Sequence, residues 1–318
     1  MKKNLIKLSI IVIMLFNLTG CTSYLKDENK KIIQNSATGQ NLPLNILCKP
    51  EDQDTLKIYE NYNETTKNKK VDLNNLSVCK TMPIKSSSYQ GLWVTLFVQP
   101  LAWLIIQIGN LVNNYGLGLI LCTILIRLVV YPFTRKTALQ SEKLKKAQPK
   151  LTKLENKYKN KTDQESMMKK SQEMMMIYKE YDIKPMSGCL FTFIQIPLFF
   201  AFYEAISRIP AIFEENFIGF QLGTSPSVAL LKQGKPIYLI LIVLVVLATY
   251  FSFKLNSAAT MSKEQEEQMK TMTNVMIFMM AITSFTISSG IAIYWITSNV
   301  FTIIQNLLVK RGDKNARN

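Results

Sequence analysis

Hydrophobic residues in this chain fall into long uninterrupted blocks separated by polar stretches, with little alternation at strand spacing. Five blocks, at 116–133, 188–206, 237–253, 272–288 and 291–309, have the scale of roughly 20 residues that a hydrocarbon core about 30 Å thick demands of a helix. A sixth, 92–112, is apolar enough to span but is interrupted by Gln99-Pro100, Gln107 and Asn110. Between the first two spans the pattern changes. Leu144, Ala147, Leu151, Leu154 and Tyr158 recur at three and four residues, and so, after a polar break at 160–163, do Met167, Met174, Ile177 and Tyr181. That period predicts two amphipathic helices folded as an antiparallel hairpin, with Pro149 expected to end or bend the first of them. Residues 22–88 are rich in Asn, Lys, Asp and Thr and lack a long apolar run. They read as loosely ordered chain or a small subdomain.

The amino terminus reads as a processing signal. Lys2, Lys3 and Lys7 precede an apolar stretch at 8–16, followed by Leu18-Thr19-Gly20-Cys21. This order resembles the bacterial lipoprotein box, in which the cysteine is lipidated, typically with palmitate, and becomes the first residue after cleavage. An uncleaved anchor with an incidental cysteine is the plainer alternative. Lipidation at Cys21 puts the mature amino terminus on the outer face of the cytoplasmic membrane. Residues 135–184 hold fourteen Lys/Arg against seven Asp/Glu, a net of +7, and the tail from Lys310 holds four basic residues and one acid. Residues 208–235 hold three basic residues and two acids. Basic loops stay in the cytoplasm. With an external amino terminus, five spans satisfy that rule and six break it. The block at 92–112 is therefore expected along the outer interface, where Trp93 and Trp103 suit the headgroup region. Cys48 and Cys79 fall in an exported segment, a compartment where a disulfide persists.

The fold class predicted is an all-α polytopic membrane protein with five transmembrane helices, an outer-face interfacial helix and a cytoplasmic helical hairpin. Its boundaries are a signal peptide at 1–20, a lipidated extracytoplasmic segment at 21–88, the interfacial helix at 89–114 and a first span at 115–134. The hairpin follows at 135–185, then four further spans at 186–309 and a basic tail at 310–318.

Charge and chemistry narrow the function. The net charge is +16 and the chain has no histidine, so the commonest general base and transition-metal ligand are both missing. The five cysteines form no CxxC pair and no zinc spacing. There is no GxxxxGK[ST] phosphate loop either. No cofactor and no catalytic residue are expected. What stands out is Arg127, in the middle of an otherwise uncharged span. A cation at that depth costs on the order of 3 kcal/mol on insertion scales and normally faces a protein interior or a wet cavity. Eight residues from Arg135, it lies about 12 Å below that edge at the rise of an α-helix. Snorkelling to the interface is the alternative, but Thr123 one turn earlier and polar residues on later spans offer it company. Glu204 lies near the outer end of its span, four residues from Arg208, which favours a local pairing.

Several blocks together resemble the YidC/Oxa-type membrane protein insertases, in their five-span lipoprotein form. They are the Arg127 span ending in Tyr131-Pro132, Gln148-Pro149 through Lys157-Tyr158, and Tyr178-Lys179-Glu180-Tyr181 running into Lys184-Pro185-Met186-Ser187-Gly188-Cys189-Leu190. Gln195-Ile196-Pro197 and Gly290-Ile291-Ala292-Ile293-Tyr294-Trp295 complete the series. The resemblance covers roughly residues 90–310 and leaves 22–88 outside. It implies a hydrophilic groove, open to cytoplasm and lipid, centred on Arg127. Thr123, Thr192, Gln195, Tyr294, Trp295, Ser298 and Asn299 would line it, with no metal. Thr192 and Gln195 share one helical face with Phe199, and Tyr294 and Ser298 share another with Thr302. Such rows also stitch transmembrane helices together. The partners implied are nascent membrane proteins and membrane lipids, with the Sec translocon, ribosome and signal-recognition machinery as further candidates. The rival reading is a small-solute anion transporter with Arg127 as anion site, against which the lack of visible internal repeats counts.

Overall fold

The computed structural model describes residues 22–67, 70–85, 90–184, 187–256 and 263–315, with side chains left undescribed at 187–194, 256, 263–269, 272 and 312–315. The expected leader and Cys21 lie outside these residues. The structure is mostly helical. Its helices are α1 (Gln53–Thr65), α2 (Gln99–Val112), α3 (Tyr115–Tyr158), α4 (Gln164–Glu180), α5 (Ser187–Arg208), α6 (Pro210–Phe213), α7 (Pro226–Leu231), α8 (Leu239–Asn256), α9 (Lys263–Thr286) and α10 (Ser289–Asn315). Among the described residues, four stretches are long and apolar enough to cross a bilayer: Val94–Val112, Tyr115–Tyr158, Pro236–Leu255 and Ser289–Arg311. The first of these is the segment that charge balance assigns to the interface, so length and composition alone leave it able to span. The chain divides into two compact units: Met1–Thr123 with Pro197–Ile242 and Phe285–Tyr294, and Ile124–Ile196 with Val243–Ser284 and Trp295–Asn318.

In the first unit the polar segment after residue 22 has a core of its own. Leu25, Leu42, Ile46, Tyr59, Tyr62 and Val71 are buried together, joined by Phe213 of α6. The sequence hides this core because its apolar residues are scattered singly or at alternate positions, such as Leu42, Leu44 and Ile46, and bury through short bridges at Tyr24–Pro43, Lys26–Ile32 and Gln34–Asn41. Asp52 caps α1 by accepting from the Thr55 amide at 2.8 Å. The Tyr59 hydroxyl donates to the Pro43 carbonyl at 2.7 Å. Cys48 and Cys79 form a disulfide.

α2 is entered through a π-helical turn, Val94–Val98, where the ladder slips one residue just ahead of Pro100, which has no N–H to continue it. It stops at Asn113, which adopts the left-handed conformation with φ 52°, one that Asn tolerates at a helix end. The Asn114 side chain then accepts from the Leu117 amide at 2.7 Å and starts α3. The two helices cross at glycines. A Cβ on Gly118 would meet the Gly109 Cα at 2.6 Å.

A buried ion pair organises the outer end of α5. Arg208 is fully buried and Glu204 nearly so. Their side chains meet at 3.3 Å, the Trp93 indole donates to Glu204 at 3.1 Å, and Arg208 donates to the Asn45 carbonyl at 2.7 Å and to Gln90. The Leu47 amide donates to the Arg208 carbonyl at 2.9 Å. The local pairing expected of these two residues is thus a sealed network that ties the polar segment to α5.

In the second unit, α4 packs along the later half of α3. Ala147, Leu151 and Ile183 form its buried centre, with Leu144, Met174, Ile177, Tyr178 and Tyr181 against it. Lys157 pairs with Glu173 at 2.6 Å, Lys143 with Asp182 at 2.6 Å, and Lys150 with Glu180. One expectation is narrowed and one corrected. Of ending or bending the helix at Pro149, ending is excluded, for α3 runs through both Pro132 and Pro149. The one hydrogen bond a proline removes is outweighed where neighbours such as Ala147 and Leu151 are packed. Met167, assigned by period to the hairpin seam, is instead exposed, as are Met168, Met175 and Met176. α4 begins at Gln164 with Asp163 as its cap, and Met167 lies in the first turn, beyond the packed centre.

Removing one member of a buried ion pair strands the other, at a cost of about 3–5 kcal/mol. Arg208→Ala is expected to lower the melting temperature in mild detergent by on the order of 10 °C, and Arg208→Met combined with Glu204→Leu to recover most of it. A wild-type melting curve for Arg208→Ala would show that the network does not hold the unit together.

Candidate functional site

Arg127 is 5% exposed and its guanidinium donates to the Ser298 hydroxyl of α10. Both sit in the second unit. Ser298 is a neutral acceptor, and this bond satisfies one N–H of the guanidinium. Seven residues on, the Thr134 hydroxyl donates to Gln305 Oε1 at 3.0 Å. Both bonds join residues 171 apart in sequence. α3 and α10 therefore run parallel in this stretch, with polar contacts repeating at a heptad interval.

The surroundings on α10 are polar along one face. Ser298, Thr302, Gln305 and Asn306 are all buried, and the Thr302 hydroxyl donates to the Ser298 carbonyl at 3.0 Å. The Trp295 indole donates to Thr249 of α8 at 2.9 Å, and the Asn299 amide donates to the Trp295 carbonyl at 2.9 Å. Thr249 and Ser252 are buried polar residues of α8. Gln195 of α5 is half-buried. The side chain of Thr192 lies outside the described residues.

Two of the predicted site residues belong to the first unit. Thr123 is buried and its hydroxyl donates to the Leu119 carbonyl of its own helix at 2.7 Å. Tyr294 is buried with its ring stacked on Phe202 at 4.3 Å between centroids. The structure thus brings Arg127 and Ser298 into direct contact and links Trp295 to Thr249 and Asn299. Thr123 and Tyr294 bond or stack within their own unit. Thr134, Gln305 and Thr249 were not singled out from sequence. The signal for the first two was available in the matching spacing of 127 to 134 and 298 to 305, but Thr134 stands beside Arg135 and reads as a span boundary. Among the described residues no group of three or more Asp, Glu, Cys or His could hold a metal.

Comparison with known proteins shows the family. Residues 107–316 match the family model described as the 60Kd inner membrane protein. The membrane protein insertase YidC of Oceanobacillus iheyensis is 34% identical over 234 residues, covering 72% of this chain and 87% of that protein. Membrane protein insertase YidC 2 of Listeria innocua is 36% identical over 245 residues, with 76% and 80% covered. Membrane protein insertase MisCA of Bacillus subtilis is 35% identical over 222 residues, with 70% and 80% covered. A crystal structure of an active YidC insertase overlaps at a TM-score of 0.43 and 20% identity, covering 67% of this chain and 46% of that one. The assignment rests on the sequence relatives, not on that overlap.

A hydrogen bond between transmembrane helices contributes roughly 0.6–2 kcal/mol. A double-mutant cycle of Arg127→Leu and Ser298→Ala, read by unfolding from lipid bicelles, is expected to give a coupling of about 1 kcal/mol. A coupling indistinguishable from zero would remove Ser298 as the partner of Arg127.

Proposed function

The chain belongs to the family of the 60Kd inner membrane protein, the YidC-type insertases, and is a multi-pass membrane protein insertase; on that premise we propose that Arg127 and its polar neighbours form the place where an incoming protein's hydrophilic segment pauses midway. A short polar segment enters from the cytoplasm and meets the Arg127 guanidinium, which attracts carboxylates and donates to backbone carbonyls. The apolar segment that follows slides past α5 and α10 into lipid. Its own partitioning supplies the drive, helped by the membrane potential acting on acidic residues. No nucleotide and no covalent chemistry enter this scheme, and the protein acts as insertase and chaperone rather than as an enzyme.

The observation that carries the reading is a buried guanidinium bonded to a hydroxyl. The serine holds the guanidinium at a fixed level of the span, where a polar segment entering from the cytoplasm would meet it. Gln195, Trp295, Asn299, Thr192, Thr123 and Tyr294 are proposed as further lining of the path. The proposed topology has five spans, with α2 and its π-turn along the outer interface, the α3–α4 hairpin in the cytoplasm and an external amino terminus lipidated at Cys21. The parallel run of α3 and α10 agrees with it, because a first and a fifth span cross in the same direction. Four exposed methionines along α4, Met167 and Met168 in its first turns and Met175 and Met176 beside its packed centre, supply adaptable apolar surface for varied nascent chains. The basic loop and tail are proposed to face ribosome, signal-recognition machinery or anionic lipid, and the protein to work alone or beside the Sec translocon. No observation favours the anion-transporter reading.

In cells depleted of their own insertase, Arg127→Ala is expected to abolish insertion of a dependent substrate, while Arg127→Lys retains much of it, both variants accumulating to the wild-type level in the membrane. An alanine variant that supports growth and full insertion would overturn the role given to Arg127.

A further inference from the structure

After α6 the chain makes a two-stranded hairpin, β1 (Asn216–Phe217) and β2 (Phe220–Gln221), with Phe217 paired to Phe220. Only Ile218 and Gly219 lie between them, with φ of 50° and 81°. Such a turn needs positive φ at both central positions and is ordinarily filled by Asn-Gly or Gly-Gly. A β-branched residue there is a genuine outlier. Ile218 is also 75% exposed on the protein. In water an isoleucine at this tip is doubly unfavourable, by backbone conformation and by bare apolar surface, and Asn would suit both better.

The hairpin is held at a definite level. A Cβ on Gly116, at the start of α3, would meet the Phe217 ring at 2.5 Å, and one on Gly219 would meet Ile237, at the start of the candidate span Pro236–Leu255, at 3.9 Å. At its base the Asn114 amide donates to Glu215 at 3.2 Å. The tip therefore sits against the first residues of two membrane-crossing stretches. Three residues before Asn114, near the end of α2, Leu111 is 82% exposed.

We infer that Ile218, at the tip of the β1–β2 hairpin, is a lipid anchor that inserts among the acyl chains at the edge of the bilayer, with Leu111 near the end of α2 as a second apolar contact. Lipid is the occupant because the ends of the flanking spans fix the tip where the hydrocarbon begins, and because the exposed groups are aliphatic. The inference requires only that α3 and Pro236–Leu255 cross the membrane. It stands apart from the role given to Arg127, and the proposed topology adds only that the leaflet is the outer one.

The test uses the full chain with Cys122→Ala and Cys189→Ala, carrying Ile218→Cys, Leu111→Cys or, as a water-facing control on α1, Glu60→Cys. Each is labelled with an environment-sensitive fluorophore and reconstituted in nanodiscs of dibrominated phosphatidylcholine. Labels at 218 and 111 are expected to be quenched severalfold more than the label at 60, and to be shielded from aqueous iodide. Equal quenching at 218 and 60, or shielding from iodide without quenching by bromolipid, would overturn the inference, the second by showing that protein covers the tip. Ile218→Asn is expected to melt no lower than wild type in detergent, where lipid no longer rewards the isoleucine, and to dissociate no partner. A clear loss of stability in detergent would assign the side chain to the protein's own packing instead.

Discussion

A positive charge kept below the lipid surface is the constraint from which the rest of this molecule follows. Hydrocarbon offers a guanidinium no hydrogen-bond acceptor. The hydroxyl of Ser298 supplies one for an N–H of Arg127. Holding that oxygen in place requires α10 to lie parallel to α3 at a fixed register, and the second contact two turns on, Thr134 to Gln305, has the same sequence offset. A bond at one level sets distance, and a bond at two levels sets rotation as well. Thr302 and Asn306 of α10 are buried on the same face as Ser298 and Gln305.

The first unit solves a different problem with the opposite device. Arg208 is buried as deeply as Arg127 but is matched by Glu204 and capped by Trp93, Gln90 and the Asn45 carbonyl. Every contact is internal, so this arginine fixes structure. For Arg208 a carboxylate and a carbonyl make a clasp within the first unit. The segment tied down by Arg208 begins before residue 107, outside the family match. It carries its own core and a disulfide between Cys48 and Cys79, so it reads as an accessory built onto the insertase body.

Much of this was legible from the chain. The cost of charge in lipid singles out Arg127, apolar block length finds the helices, and the polar break at 160–163 marks the turn between α3 and α4. Cys48 and Cys79 left a disulfide open, and the structure forms it. Other features needed coordinates, for physical reasons. Scattered apolar residues such as Leu25 and Tyr59 give no periodic signal, so the core of the polar segment was invisible. The polar row of Tyr294, Ser298 and Thr302 could be read as lining or as glue, and spacing cannot say which member meets Arg127. Pro149 breaks a helix in isolation but not one packed against a neighbour. Met167 matched the period of α4 yet lies beyond its packed centre, where periodicity still counts but contact has ended.

The most direct test asks whether water reaches this charge from the cytoplasm. With Cys122 and Cys189 replaced by alanine, Asn299→Cys, one residue from the partner of Arg127, is exposed to a membrane-impermeant thiol reagent in inverted vesicles and in right-side-out spheroplasts. Modification from the cytoplasmic side alone, blocked by a stalled nascent chain, is the result predicted. A cysteine that reacts from neither side, or from the outside, would contradict an account in which polar polypeptide pauses beside Arg127.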